Sequence, residues 1–342
     1  WRYIPAADEL VNLGHPLPTK DSVIYPMDPD GDGRIYGGTY PTGSLWMYDP
    51  ATGKFTDYGT MAFSSSGERW NRVTVYDPER GVVYAGMGST PRLVEYNPAT
   101  GAKRDLLPAG YENITAVYDL DLVGGKLFAR KETNNQYEYF VVDPVSGEQI
   151  MVTNGDTGEV SDVFLNVSRG VSPKSPIADK MYYAGLGGEL FEYDLVTDTY
   201  RSLGVSIDGA AISYDYAQLN EEGFPGWSLV GLSGNSGKMY KYNLETGNVR
   251  VADVMLPAEP VNIHEIVTGP DGNIYTAGYL AGNMGMYNVV TGESRYFNGI
   301  SQGEGMVTIG NSIFIGAYPD AKIYEYDLSK PWNRDNADVL NP

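Results

Sequence analysis

A six-residue pattern returns seven times along the 342-residue chain and restricts its fold more than any other feature. It runs aromatic or other apolar residue, Asp or Asn, Pro or another apolar residue, a variable residue, Thr or Ser, and usually Gly. Clear copies are Tyr48-Asp49-Pro50-Ala51-Thr52-Gly53, Tyr96-Asn97-Pro98-Ala99-Thr100-Gly101 and Val142-Asp143-Pro144-Val145-Ser146-Gly147. Weaker ones begin at Tyr193-Asp194, Tyr242-Asn243, Tyr287-Asn288 and Tyr326-Asp327, with steps of 48, 46, 51, 49, 45 and 39 residues. A period of about 40–50 residues belongs either to blades of a β-propeller or to paired helices. Residue chemistry decides between them. Asp accepts backbone hydrogen bonds, Pro presets the first turn dihedral and Gly supplies a positive φ, which together make a hairpin turn. Paired helices have no use for Pro and Gly at that place.

Upstream of each turn lies a short run ending in small residues, as in Arg34-Ile35-Tyr36-Gly37-Gly38, Val83-Tyr84-Ala85-Gly86 and Ile313-Phe314-Ile315-Gly316-Ala317. These read as second strands, whose Gly or Ala leaves room for a neighbouring sheet. The turn's leading Tyr ends a third strand, and a polar outer strand follows, as in Lys54-Phe55-Thr56-Asp57-Tyr58-Gly59. The sequence therefore predicts an all-β, seven-bladed β-propeller of four-stranded antiparallel blades in a single domain, 1–342. The blades fall at about 21–59, 71–107, 113–153, 161–203, 209–254, 261–297 and 304–330. Glu9-Leu10-Val11-Asn12-Leu13-Gly14 resembles the outer strands, so 9–14 is expected to close the ring as outer strand of the last blade. The other reading makes 9–14 a loose leader and lets the C-terminal tail complete its own blade. Closure hides sheet edges that otherwise invite pairing with other chains.

With no cysteine, the chain has no disulfide, thiolate metal site or cysteine nucleophile. A net charge of −20, from 24 basic and 44 acidic residues, opposes nucleic-acid binding, which gains affinity by neutralising phosphates. It opposes anionic membranes likewise, and no transmembrane run is present. The chain opens at Trp1 without methionine and reads as a processed form or an excised domain of an exported, extracellular bacterial protein, expected to be a monomer.

In a propeller the blade-to-blade loops share one face with the loops between second and third strands, and functional groups gather on such loops. The richest segment there is Glu68-Arg69-Trp70-Asn71-Arg72: two guanidiniums for carboxylates or sugar hydroxyls, an indole for stacking, an acid and an amide. Tyr40, Tyr279 and Tyr318 stand at equivalent places just after second strands. Tyr111, Asn113, Asn262 and Glu304 share that face. Asn113 and Asn262 join Glu68, Arg69, Trp70, Asn71, Tyr279 and Tyr318 as expected ligand-binding residues. Of only two histidines, His15 lies in the N-terminal connector, and His264 lies on the first strand of the sixth blade with the intrinsic pKa of a general base. Asp28-Pro29-Asp30-Gly31-Asp32-Gly33 has the alternating carboxylates and sixth-position Gly of a calcium loop, making Asp28, Asp30 and Asp32 a calcium candidate. Thr39 stands where that loop needs its bidentate Glu, so a plain hairpin turn competes with the metal reading. No other cofactor is required.

The blade pattern resembles the seven-bladed bacterial propellers that include streptogramin lyases, YVTN-type surface repeats and propeller polysaccharide lyases. The resemblance covers almost the whole chain and implies architecture. Glu259-Pro260-Val261-Asn262-Ile263 is similar to the segment where streptogramin lyases carry their catalytic histidine just after a proline. Here Val261 holds that place, with His264 three residues on. The histidine cluster of oligogalacturonide-lyase propellers is absent.

The leading expectation is an extracellular propeller that binds a polysaccharide or oligosaccharide. The alternative is a polysaccharide lyase acting on a uronic-acid glycan. In it Arg72 or Arg69 neutralises the carboxylate, and Tyr40, Tyr111 or His264 takes the proton α to it. Glycoside hydrolysis by Glu68 with Glu112 or Glu304, and a protein-interaction scaffold, are further readings.

Overall fold

The recurring turn forms by the chemistry its residues dictate. In the computed structural model, Asp49 accepts the Ala51 N–H on its side chain at 2.9 Å and the Gly53 N–H on its carbonyl at 2.8 Å. Asn97, Asp143, Asn243 and Asn288 receive their glycine N–H groups in the same way, at 2.8–3.0 Å. The five glycines sit at φ between 67° and 79°, a region closed to most side chains. At the Asp194 copy, Asp198 takes the glycine's place at φ 53°, a conformation Asp tolerates through local hydrogen bonding. Each turn joins a third strand to a fourth.

The structure describes residues 2–17, 21, 23–64, 69–133, 136–165, 167–211, 213–233, 238–253, 263–279, 283–318, 322–332 and 338–340. Glu68, Asn262, Glu259 and Val261 lie outside these. All regular structure described is β, and no helix is long and apolar enough to cross a membrane. The chain divides into two compact units, Trp1–Val254 and Met255–Pro342.

In the first unit, Val23–Pro29, Ile35–Tyr40, Ser44–Asp49 and Lys54–Thr60 pair in order as a four-stranded antiparallel meander. Two further meanders follow. One is Trp70–Asp77, Val82–Gly88, Arg92–Tyr96 and Lys103–Asp105; the other is Ala116–Val123, Lys126–Thr133, Gln136–Val142 and Gln149–Ile150. A contact between Gly88 and Ala116, with Phe164–Leu165 added at one side, makes them one nine-stranded sheet. Asp215–Glu221, Phe224–Ser233, Lys238–Asn243 and Val249–Asp253 form another meander. The second unit holds two: Ile263–Thr268, Ile274–Gly278, Asn283–Tyr287 and Ser294–Asn298; then Gln302–Ile309, Ser312–Tyr318, Lys322–Asp327 and Asp338–Leu340.

Two details correct the expectations. Glu9–Val11 pairs with Arg2–Ile4 as a local hairpin, and the outer strand of the last meander is Asp338–Leu340, paired with Ile323–Glu325. The hairpin closes over only a few residues through Pro5–Asp8, which costs far less loop entropy than a distant partner. Among the described residues, the repeat expected at 161–203 has no leading strand. Val167 bridges to Gly185, and Ser172 and Ser175 donate to Tyr182 and Lys180, but Pro173 and Pro176 have no N–H with which to continue a ladder. Its sheet is completed instead by a hairpin, Val152–Asn154 with Val160–Ser161, lying parallel to Thr199–Ser206.

Within the first unit the apolar core lies between successive repeats. Tyr36 and Leu45 meet Val83 and Met87; Tyr84 and Val73 meet Val117 and Phe140; Phe128 and Tyr139 meet Tyr183 and Tyr193 around the fully buried Phe164. Close approach demands the small residues expected at the ends of second strands. A Cβ on Gly38 would lie 2.1 Å from the Asn71 carbonyl, and one on Gly86 2.8 Å from that of Val117.

Candidate functional site

Four leading strands carry one residue more than their partners. Asn71 faces Met87 and Val73 faces Gly86, which leaves Arg72 over; Tyr118, His264 and Glu304 are left over in the same way. Each is a single-residue bulge near the start of its strand. A bulge breaks the two-residue alternation and turns a side chain away from the packed faces, and such re-aiming accompanies functional sites. In the first meander the ladder is irregular at the same place, between Ile24 and Met27.

In the first unit two bulge residues meet. Arg72 donates from Nη2 to the Tyr118 hydroxyl at 3.2 Å, and its guanidinium lies 4.4 Å from the Tyr118 ring centre. Arg130, only 7% exposed, lies 4.9 Å from the same ring. Two guanidiniums therefore share one phenol in a chain of net charge −20. Each contact is worth about 0.5–2 kcal/mol, more as water is excluded. Two residues before Arg72 on the same strand, Trp70 tilts towards Tyr40 with ring centres 6.3 Å apart. Arg69 and Asn113 are exposed.

Asn71 has a different role from the one expected. It is fully buried, its Nδ2 donates to the Ser44 carbonyl at 3.2 Å and its Oδ1 accepts from Thr74, so it ties two sheets together. Tyr111 is also corrected as a base. It is 7% exposed, donates to Asp162 Oδ2 at 2.9 Å, and receives the Gln149 amide at 2.8 Å. Burial above all pushes its phenol well above the ordinary range, so it keeps its proton. Lys131 lies 4.7 Å over its ring and pairs with Glu138 at 2.5 Å.

In the second unit the other two bulge residues meet. His264 Nε2 is 3.1 Å from Glu304 Oε2, and Gln302 donates to Glu304 Oε1. The Tyr279 ring centre is 5.4 Å from that of His264. Tyr318, 56% exposed, stands opposite Gln302 in the ladder. Imidazole, carboxylate, carboxamide and two open phenol rings thus gather at one end of two meanders. Glu112 offers no general acid: backbone N–H groups, that of Gly110 first, hold its carboxyl below the usual range.

The calcium reading is overturned. Asp30 accepts the backbone N–H groups of Asp32 and Arg34, and its other oxygen takes Arg34 Nε at 2.6 Å. Asp32 pairs with the same guanidinium at 2.8 Å. Asp28 points elsewhere, accepting the Tyr76 N–H at 2.7 Å. An internal cation already holds two of the three carboxylates, and among the described residues no group of His, Asp and Glu converges as a metal site.

Sequence reasoning missed Tyr118 and Arg130, while Gln302 was placed on the functional face. The signal for Tyr118 was present: the buried Val117 and Leu120 stand three apart, where unbroken alternation places core residues two or four apart.

No family model matches the chain, and no curated protein does. Among solved structures, a chain of the Mitotic Checkpoint Complex crystal structure superposes with a TM-score of 0.49 at 11% identity, covering 90% of this chain and 92% of that one. The computationally designed Ika8 protein superposes with a TM-score of 0.44 at 15% identity, covering 90% and 84%.

Proposed function

We propose that the chain is a seven-bladed β-propeller that binds an extracellular polysaccharide or oligosaccharide through its bulge residues. Supporting the architecture, the nine-stranded sheet divides into two meanders, and the five-stranded sheet stands where a further blade is expected. The observation that carries the function is the coincidence of bulge and chemistry. Arg72, Tyr118, His264 and Glu304 occupy the bulge positions of their strands, and the Tyr279 ring stands beside His264. Sugars present hydroxyls to charged and amide groups and C–H faces to aromatic rings, which is what these residues offer. The net charge of −20 argues against a nucleic-acid partner.

A second reading, β-elimination of a uronate glycan, draws on the 3.1 Å contact between His264 and Glu304. A carboxylate beside an imidazole orients it as a base. His264 would take the proton α to the uronate carboxylate, electrons would move to form the ring double bond, and the C–O bond to the leaving sugar would break. The departing oxygen gains a proton from solvent.

Affinity electrophoresis against neutral and uronate polysaccharides, run beside the ultraviolet absorbance of unsaturated products, tests both. Retardation without new absorbance, relieved by Arg72→Ala or Tyr279→Ala, is the expected result. Rising absorbance abolished by His264→Ala selects the lyase. Silence throughout refutes both.

A further inference from the structure

At the ends of the leading strands opposite the bulges, the first unit holds a half-open cavity of about 870 Å³. That volume lies in the range of small-molecule sites. Its wall mixes apolar residues such as Val75, Leu122 and Val123 with the rings of Tyr76 and Tyr214 and with charged groups. The charges are not balanced within it. Its two cations are committed elsewhere: Arg80 to Glu95 at 2.5 Å and to the Pro144 carbonyl, Lys174 to Asp179 at 2.5 Å. Asp77 is satisfied by the Tyr84 hydroxyl and the N–H groups of Glu79 and Arg80.

Glu79 at the rim is exposed to solvent, which leaves Asp28 and Asp121 as the inner carboxylates. Among the described residues, each accepts one backbone N–H, from Tyr76 at 2.7 Å and from Val171 at 3.3 Å, and neither meets a cationic side chain. Burial and the neighbouring charges of Asp119 and Asp28 press the Asp121 carboxyl well above its ordinary pKa, and burial raises that of Asp28. Two carboxylates sharing a partly enclosed space without a counter-charge are a costly arrangement that a bound cation relieves.

We infer that this cavity binds a small organic ammonium ion, its N–H donors taken by Asp28 and Asp121 and its alkyl part by the rings and aliphatic wall. An ammonium suits the mixture of carboxylate, aromatic face and carbon that lines the space. A bare calcium ion does not, since it needs six to eight oxygens at about 2.3–2.6 Å, and here carbon makes up much of the wall. The site is separate from the bulge residues and does not depend on glycan binding.

Isothermal titration of the whole chain with putrescine at neutral pH tests this. Butanediol serves as the uncharged match, calcium chloride as the inorganic cation, and Asp28→Asn and Asp121→Asn as variants whose folding is checked by circular dichroism. Saturable putrescine binding, absent with butanediol and weakened about tenfold or more in both folded variants, is expected. Equal binding of butanediol, putrescine binding that both variants leave intact, calcium binding without putrescine binding, or no heat at all would each overturn the assignment.

Discussion

Replacing Gly38 by alanine tests whether small residues set the distance between sheets. The added Cβ would fall 2.1 Å from the Asn71 carbonyl oxygen and 2.5 Å from Asn71 Cγ, and that residue is itself buried in the next sheet. Non-bonded contacts settle near ~3.5 Å, so two sheet backbones must part by more than about 1 Å. Overpacking of this kind costs about 1–3 kcal/mol. The hydrogen bond from Asn71 Nδ2 to the Ser44 carbonyl, 3.2 Å long, spans the same contact. Breaking it in the interior costs about 1–3 kcal/mol more. Together these amount to about 2–6 kcal/mol, a fall in Tm of roughly 5–15 °C for a unit of this size. Gly187→Ala is the internal control: nothing lies within 4 Å of its Cβ and its φ is ordinary, so it should change stability by less than about 1 kcal/mol. Paired urea and thermal denaturation measure both. If Gly38→Ala unfolds within about 0.5 kcal/mol of the parent, the sheets do not approach as closely as described and the reasoning fails.

Phe164→Ala should cost about 3–5 kcal/mol in urea unfolding, because the ring is fully buried with five aromatic neighbours at centroid distances of 5.2–6.2 Å. Asp121→Asn should raise Tm at neutral pH. A raised folded-state pKa gives stability that is present below the ordinary carboxylate pKa and lost as pH rises. The gain should therefore vanish in acid, and a gain independent of pH would contradict the cause. Asp327 behaves oppositely: Ser329 first holds its carboxyl down at about 2, so its contribution is present above the ordinary carboxylate range and lost as pH falls towards 2. Asp327→Asn should flatten the acid limb of a Tm-against-pH curve. Calcium or EDTA should move Tm by less than about 1 °C through the Asp30 loop, since Arg34 already neutralises it.

The repeating turn and the tight Gly positions were legible because each depends on a few adjacent residues whose backbone chemistry is local. The extra hairpin at Val152–Ser161 escaped notice although its turn, Asn154-Gly155-Asp156-Thr157-Gly158, has the same Asx and Gly bonds as the others. It lies off the repeat period, and its parallel pairing with Thr199–Ser206 is a tertiary fact that no local pattern carries. Glu9–Val11 had the composition of an outer strand, but composition does not choose between a near and a distant partner. In the candidate site, Arg72, His264 and Tyr279 were nominated by residue type and loop position. Tyr118 and Arg130 were not, because a tyrosine within an apolar strand looks like core until the ladder slips by one. For the acidic loop, the informative residue was Arg34, one place beyond the glycine at which the pattern was judged.

A residue that a strand does not count is one the sheet does not audition. Elsewhere along the leading strands, exchanging a side chain disturbs a cross-strand neighbour or a core contact. At Arg72, Tyr118, His264 and Glu304 no partner stands opposite in the ladder. There the side chains answer to one another instead, Arg72 to Tyr118 and His264 to Glu304, so an exchange at one is felt first at the other. A designer wishing to add chemistry to this scaffold would begin there, changing each bulge residue together with the one it meets.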